Sequence, residues 1–523
     1  MTDSRIRWHA CLPSLSAWLW LMFFLGLSLS TWRLVMISAD GDPCLHWRIG
    51  NWMIEHRAVL RADPFSHTRP GAPVVTMEWL SELLFATAGN LLGWNGIVLL
   101  TSALIATCLW VLHRQLLSEG VEPLLATALV LLAAMTCSMH WLARPHVVSH
   151  LLLALWAWQL RAFHQGRISA RALFARLVPL MVIWVNFHAG AFTGLTLIGV
   201  YLVGQGAGLL NVDDGRRVAV HNMGVLAMLG VSCALATLLN PNGWGLHVYI
   251  AKFLSHPALV NSVNEFRSPN FHSAGMRGFL LLLLALFLAL VIARSRLNFT
   301  EVLLIGWCGY GALHWARNVP VFAIVVTPIL AGHLNAFVRE LPETGWVNRY
   351  RKISRDISSL GHPSAARWIV LTAALVPVLI AAKPRLLGGQ PVLLTEPLAN
   401  RFPVAATGFL AEHPRAVSGE MFNDYGWGGY LMLVAPNRKV FIDGRNDFYG
   451  ESLVNEFNEA EQVQPGWVAV FQKYRVGWTI LPRARALNTV LALDPNWRLV
   501  YTDEVAAIYG RVDKIPVSHD LNE

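Results

Sequence analysis

Eleven long apolar runs constrain this chain more than any other feature. The first extends from about Ser16 to Ile37. The others cover about 95–113, 122–138, 146–163, 174–187, 190–210, 222–239, 277–294, 300–315, 319–336 and 366–382. A membrane span takes about 20 apolar residues, and backbone in hydrocarbon must satisfy its own hydrogen bonds. The pattern predicts an α-helical polytopic membrane protein with about 11 transmembrane helices. Composition agrees: of 523 residues, 55% are hydrophobic and 14% charged, where soluble domains carry about a quarter charged residues. A simple soluble enzyme and a disordered chain are excluded. The stretch Trp79–Leu92 is shorter and holds Glu82 and Asn90, so it reads as an interfacial helix lying on the membrane.

Charge sets the orientation. The net charge is +9, but the basic residues sit in short gaps between apolar runs, not in a patch beside aromatics, which argues against a nucleic-acid partner. Arg5 and Arg7 precede the first run, which is too long for a signal h-region and lacks a small-residue cleavage site. It is expected to be an uncleaved span with the N-terminus inside. Counting eleven spans from there, the inside loops hold Arg114; Arg161, Arg167, Arg171 and Arg176; Arg216 and Arg217; Arg294 and Arg296; and Arg339, Arg349, Arg351, Lys352 and Arg355. This satisfies the positive-inside rule. The same parity collects Asp40, Asp42, His46, Glu78, Arg144, His146, Asn186, His188, Glu265 and Arg317 at the outer ends. Ionisable groups near spans are costly and persist where they line a cavity or a site.

After Ala382 the composition turns mixed. Arg438–Ile442, Trp478–Leu481, Trp497–Tyr501 and Ala506–Tyr509 read as strands, and 402–413, 449–461 and 484–493 as helices. The expected organisation is a transmembrane domain over 1–383, with a first extracytoplasmic loop at 38–94, and a small α/β extracytoplasmic domain over 384–523. The six cysteines show no CxxC spacing, which gives no disulfide framework and no zinc site.

The first outer loop carries the densest chemistry: Asp40-Gly41-Asp42, His46 and Gly50, then Asp63-Pro64-Phe65-Ser66-His67-Thr68, then Glu78-Trp79-Leu80. Paired carboxylates after a span suit a general base or a cation ligand, and equally a polar turn leaving the membrane. Arg144 suits a phosphate through its bidentate fork, or snorkels at the interface. Asn186 and His188 precede Gly190 and Gly194, which allow close helix packing. Glu265 reads as an acceptor-hydroxyl ligand or a solvated loop carboxylate. In the tail, Asn423–Tyr430 and Asp443–Gly450 combine glycines, aromatics and charge. Asp443 and Arg445 are candidates for acceptor recognition, against a reading as tight turns.

These motifs, in this order, resemble the GT-C superfamily of polytopic glycosyltransferases, which take a sugar from a polyprenyl-phosphate carrier. More narrowly, the chain is similar to a bacterial branch with a D-x-D-x-x-x-H-x-x-x-G loop followed by DPFS-x-T and EWL. The match continues through Arg144-Pro145-His146, Trp184-Val185-Asn186-Phe187-His188-Ala189-Gly190, Asn240-Pro241-Asn242-Gly243, Glu265-Phe266-Arg267-Ser268-Pro269, Arg317-Asn318-Val319-Pro320 and Val440-Phe441-Ile442-Asp443-Gly444-Arg445. Pro43-Cys44-Leu45 departs from the aromatic residues common before the His. The resemblance implies Asp40 or Asp42 as catalytic base. It implies His46, Glu78, Arg144, His146, Asn186, His188, Glu265 and Arg317 as substrate-binding residues. It further implies a polyprenyl-phosphate-linked sugar as donor, a glycan, lipid or protein as acceptor, and a bacterial inner membrane as location. A divalent cation at the paired Asp is compatible but not required. The competing expectations are a non-catalytic envelope scaffold that binds glycans through its tail, and a transporter; the absence of repeat halves counts against transport.

Overall fold

Proline and asparagine set several helix starts in the membrane part. Pro123 opens Pro123–Cys137, and Pro320 sits in the first turn of Val319–Glu340, positions where a missing N–H costs nothing. Asn298 caps Phe299–His314 reciprocally with Glu301. The computed structural model describes residues 13–207, 209, 215–255, 264–292, 296–359, 363–382 and 400–514. Arg5, Arg7, Cys11, Arg294 and the expected domain boundary at 383/384 lie outside the described residues.

The chain divides into two compact units: Met1–Trp32, Leu99–Gly243 and Val263–Leu393 form the first, and Arg33–Val98, Trp244–Ser262 and Leu394–Glu523 the second. Six helices among the described residues are long and apolar enough to cross a membrane: Trp94–Ser118, Pro123–His140, Ala170–Phe187, Gly215–Ala236, Ala274–Ile292 and Ala316–Glu340. The pair Leu15–Leu29 and Trp32–Ser38 makes a seventh if taken as one span. Within the first unit, Val319–Glu340 packs against Pro123–Cys137, His146–His164, Arg277–Ile292 and Phe299–His314. Arg161, which reads in the sequence as a topogenic charge, is buried. Its guanidinium lies 2.9 Å from Glu119 and 3.5 Å from Glu301, and His333 lies 3.3 Å from Glu301.

The second unit joins the segment Arg33–Val98 to the tail. Asp42–His56 crosses Trp79–Leu92 so closely at Gly50 that a side chain there would strike Ala86 Cβ at 2.5 Å. Glu82 and Asn90 of Trp79–Leu92 serve this pairing. Asn90 accepts from Trp47 Nε1 at 2.9 Å and donates to Asn51 at 2.8 Å, while Glu82 lies 3.7 Å from His46. The tail holds a four-stranded sheet in the order β1-β2-β4-β3, with β1 Glu420–Asn423, β2 Val476–Pro482, β3 Trp497–Thr502 and β4 Ala506–Arg511. β1 runs parallel to β2, and the other pairs are antiparallel. Phe422, Phe441, Phe457, Phe471 and Leu481 centre its core.

The expected strand Arg438–Ile442 is not part of this sheet. Asn423, at the end of β1, donates from Nδ2 to the Ile442 carbonyl at 2.9 Å and accepts from the Phe441 amide at 2.8 Å. A side chain thus takes up backbone groups that a neighbouring strand would need. Val440 pairs instead with the first loop, its amide donating to the Phe65 carbonyl at 3.0 Å and its carbonyl accepting from the His67 amide at 3.1 Å. β1 was not anticipated.

Candidate functional site

Asp40 and Asp42 stand at the start of Asp42–His56. Asp40 Oδ1 accepts the Asp42 amide at 3.0 Å, an Asx-type turn that launches the helix, with Pro43 in its first turn. An acidic first turn also suits the helix dipole. Both carboxylates are half-buried, open enough for a reactant to reach. Cys44 behind them is fully buried, and burial, with Asp40 and Asp42 nearby, pushes its thiol well above the usual range. One turn on, His46 is buried against Phe85. Burial opposes its charge, but Glu82, Glu78 and Asp42 outweigh it and hold the imidazole above its ordinary value. Glu78 is half-buried at the entrance to Trp79–Leu92.

The tail glycines meet this loop. A side chain on Gly41 would strike the Gly426 carbonyl at 2.6 Å, and one on Gly429 would touch Leu45 Cβ at 3.0 Å and overlap the Gly41 carbonyl. These glycines have ordinary negative φ. They are needed for close approach of two backbones and not for turn geometry. Gly444 lies against the Asp42 carboxylate in the same way.

Asp443 and Arg445 form a buried ionic knot. Arg445 donates to Asp443 from Nε at 2.8 Å and Nη2 at 2.6 Å, and its Nη2 lies 2.9 Å from Asp63 Oδ1. Tyr449 donates its hydroxyl to Asp443 at 2.7 Å, and Ser66 donates its amide and hydroxyl to Asp63 at 2.8 and 2.6 Å. The guanidinium lies 4.7 Å from the centre of the Phe448 ring. Burial alone would weaken the charge on Arg445, but Asp443, Tyr449 and Asp63 hold it well above the ordinary range. His67 and Thr68 donate to the carbonyls of Met421 and Phe441 at 2.8 and 2.7 Å, so the DPFS-x-T motif fastens loop to tail. Asp63 as a partner of Arg445 was legible only as part of that motif. Tyr249 further hydrogen-bonds Asp447.

A second cluster lies in the first unit. Arg144 contacts Glu265 at 2.9 Å. Burial would raise the Glu265 carboxyl, yet Arg144, His140 and Arg317 hold it below the usual value. Arg317 lies 4.4 Å from the centre of the Phe266 ring. His146 donates from Nε2 to the His140 carbonyl at 2.6 Å; its ring meets that of His140 edge-on and that of His150 at a tilt, ring centres 5.6 and 5.3 Å away. His140 and His150 escaped the sequence reading because nothing in their spacing marks them as a pair with His146. His188 accepts the Gly190 amide at 2.8 Å, and a side chain on Gly190 would overlap Ser149. Asn186 donates to the carbonyls of Val182 and Leu239 at 2.7 and 2.8 Å, tying two helices.

Two guanidinium groups against one carboxylate make this cluster suited to an anion. In the other unit, the half-buried Asp pair suits a proton acceptor. Among the described residues no group of three or more His, Cys, Asp or Glu could hold a metal ion. Asp40 and Asp42 alone do not make a built cation site.

The fold is shared with known membrane enzymes. An oligosaccharyltransferase of Archaeoglobus fulgidus, tethered to an acceptor peptide containing the NVT sequon, matches with a TM-score of 0.54 at 14% identity, over 91% of this chain and 69% of its own. AglB of the same organism, in complex with an inhibitory peptide and a dolichol-phosphate, matches with a TM-score of 0.58 at 12% identity, over 98% and 75%. ArnT from Cupriavidus metallidurans, bound to undecaprenyl phosphate, matches with a TM-score of 0.50 at 15% identity, over 94% and 97%. At these identities the likeness is one of fold alone. No protein-family model and no curated protein matches it.

Proposed function

We propose that this protein is a membrane glycosyltransferase moving a sugar from a polyprenyl-phosphate carrier to an extracytoplasmic glycan, lipid or protein acceptor. The observation that carries this reading is the half-buried Asp40–Asp42 pair at a helix start, in a chain with the fold of AglB and ArnT. Those two neighbours were solved with dolichol-phosphate and undecaprenyl phosphate. Asp40 or Asp42 takes the proton of the acceptor hydroxyl. The acceptor oxygen then forms a bond to the anomeric carbon as the bond from that carbon to the phosphate oxygen breaks. A single displacement inverts the anomeric centre, and polyprenyl phosphate leaves as an anion. Arg144 and Arg317 stabilise the charge that develops on the leaving phosphate, and His146, whose Nε2 proton goes to the His140 carbonyl, keeps a structural place near Arg144. Glu265 orients Arg144 and limits its side-chain freedom. His46, Glu78, Asn186 and His188 shape the substrate surroundings, and Asp443 and Arg445 hold the tail in place.

The proposed topology has about eleven spans, an inside N-terminus and a tail outside the bacterial inner membrane, as the loop charges favour. The chemistry is tested with Asp40→Asn, Asp42→Asn and the double variant. Loss of a general base costs about 10²–10⁴-fold in rate. Normal lipid-linked sugar turnover by the double variant, at normal protein level, would end this mechanism.

A further inference from the structure

The helix Gly345–Ser359 lies between Val319–Glu340 and the apolar helix Pro363–Ala382. Val319–Glu340 belongs to a segment long and apolar enough to cross a membrane, so the helix that follows it after a short turn starts at a membrane surface. One face of Gly345–Ser359 is fastened to the helix bundle. Val347 and Ser354 are buried, and Ser354 donates its hydroxyl to Glu122 at 2.9 Å. Arg351 donates from Nη2 to the carbonyls of Val338, Arg339 and Leu341 at 3.3, 3.1 and 3.2 Å. These are groups that the end of a helix leaves without intrahelical partners. Together the contacts fix the rotation of Gly345–Ser359 about its own axis.

That rotation leaves a second apolar stripe uncovered. At about 100° per residue, Trp346, Ile353 and Ile357 share one edge of the helix. Val347 and Ser354 lie about 100° to one side of Trp346, and Arg349 and Lys352 about 60° and 120° to the other. Trp346 is 65% exposed and Ile353 41%, and Arg349 and Lys352 are exposed beside them. The helix carries Arg349, Arg351, Lys352 and Arg355 against the single carboxylate of Asp356. Of the nearby acidic residues, Glu343 lies 3.6 Å from Arg351 and Glu122 accepts from Ser354. An apolar stripe bordered by cations suits a helix lying in the plane of a membrane surface. Trp favours the headgroup level, and the charge matches anionic headgroups. We propose that Gly345–Ser359 is an anchor on an anionic phospholipid surface: Trp346, Ile353 and Ile357 sink among headgroups and upper acyl chains, and Arg349 and Lys352 pair with lipid phosphates. Neither the glycosyl chemistry nor the side of the membrane enters this placement.

The full-length chain is spin-labelled at Ile353→Cys or Asn348→Cys and placed in nanodiscs of phosphatidylcholine, or of phosphatidylcholine and phosphatidylglycerol in equal parts. Asn348 is exposed on the far side of the helix from the stripe. The unsubstituted chain, whose five described cysteines are buried, is the labelling blank. Collision with oxygen, which concentrates in lipid, is compared with collision with a neutral nickel chelate, which stays in water. In the anionic discs the label at position 353 should meet oxygen more than the chelate, and the label at 348 the reverse. Adding Arg349→Gln and Lys352→Gln keeps helix propensity. It should lower the ratio of immersed to free helix about 25-fold, at about fivefold for each cation, and bring the anionic discs to the level of phosphatidylcholine alone. About 1 M salt, which shortens the Debye length to about 3 Å, should do the same.

Chelate access at 353 equal to that at 348 would overturn the proposal, because the stripe would then face water. A label at 353 that meets neither reagent would also overturn it, because protein, from this chain or a second copy, would then cover the stripe. Immersion at 353 that is equal in the two kinds of disc, or that survives the loss of both cations, would overturn the choice of an anionic surface.

Discussion

Replacing Arg445 by Met tests whether the buried knot holds the first loop to the tail. The substitution keeps much of the apolar stem and removes the cation. Three contacts to carboxylates are lost, at 2.8, 2.6 and 2.9 Å. Asp443 and Asp63 have fully buried side chains. Afterwards Asp443 keeps the Tyr449 hydroxyl and Asp63 keeps Ser66, but two neighbouring negative charges remain without a counter-ion. Removing one partner from a buried ion pair costs about 3–5 kcal/mol. Each kcal/mol moves the melting temperature of a domain of this size by about 2–4 °C, so a fall of about 10 °C is expected. Thermal unfolding of the purified chain in detergent, with limited proteolysis of the tail, reports it. Arg445→Lys should lie between, since one ammonium cannot reproduce the fork. Adding Asp63→Asn to Arg445→Met should recover part of the loss by removing one of the stranded charges. A melting temperature within about 2 °C of the unsubstituted chain for Arg445→Met would refute this account of the knot.

Two ion pairs should respond to pH with opposite sign. Glu265 is held below its ordinary value of 4.5, so its contribution is full above about pH 4.5 and is lost as pH falls through the folded value; Glu265→Gln should flatten that acid limb in a melting series. His46 is held above its ordinary value of 6.5, so its contribution is full below about pH 6.5 and is lost as pH rises through the folded value; Glu82→Gln should remove this dependence, and an unchanged profile would count against the pair. For topology, a Cys introduced in 345–355 should resist an impermeant thiol reagent in intact spheroplasts while one in 455–465 should label, and the reverse pattern would sink the charge argument.

Much of the architecture was written in local patterns. Runs of about 20 apolar residues can only be helices in a membrane, and β2 and β4 carry the β-branched and aromatic content of buried strands. The Asp40-Gly41-Asp42 segment reads as a polar turn by local chemistry, but the helix Asp42–His56 that follows it was not anticipated. What tertiary structure decided was which polar groups meet. Asp63 and Arg445 are far apart in the chain, and nothing local marks them as partners; only packing of the first loop on the tail brings them to 2.9 Å. Arg438–Ile442 shows the same limit in reverse. Its alternation reads as a strand, but the Asn423 side chain takes its backbone groups. The tail glycines make the point most sharply. Sequence offers turn flexibility as the reason for them, whereas at Gly429 and Gly444 the reason is a neighbour from the first loop that leaves no room for a Cβ. Periodicity and propensity act over a few residues, while steric exclusion and charge pairing act across whatever the fold brings close.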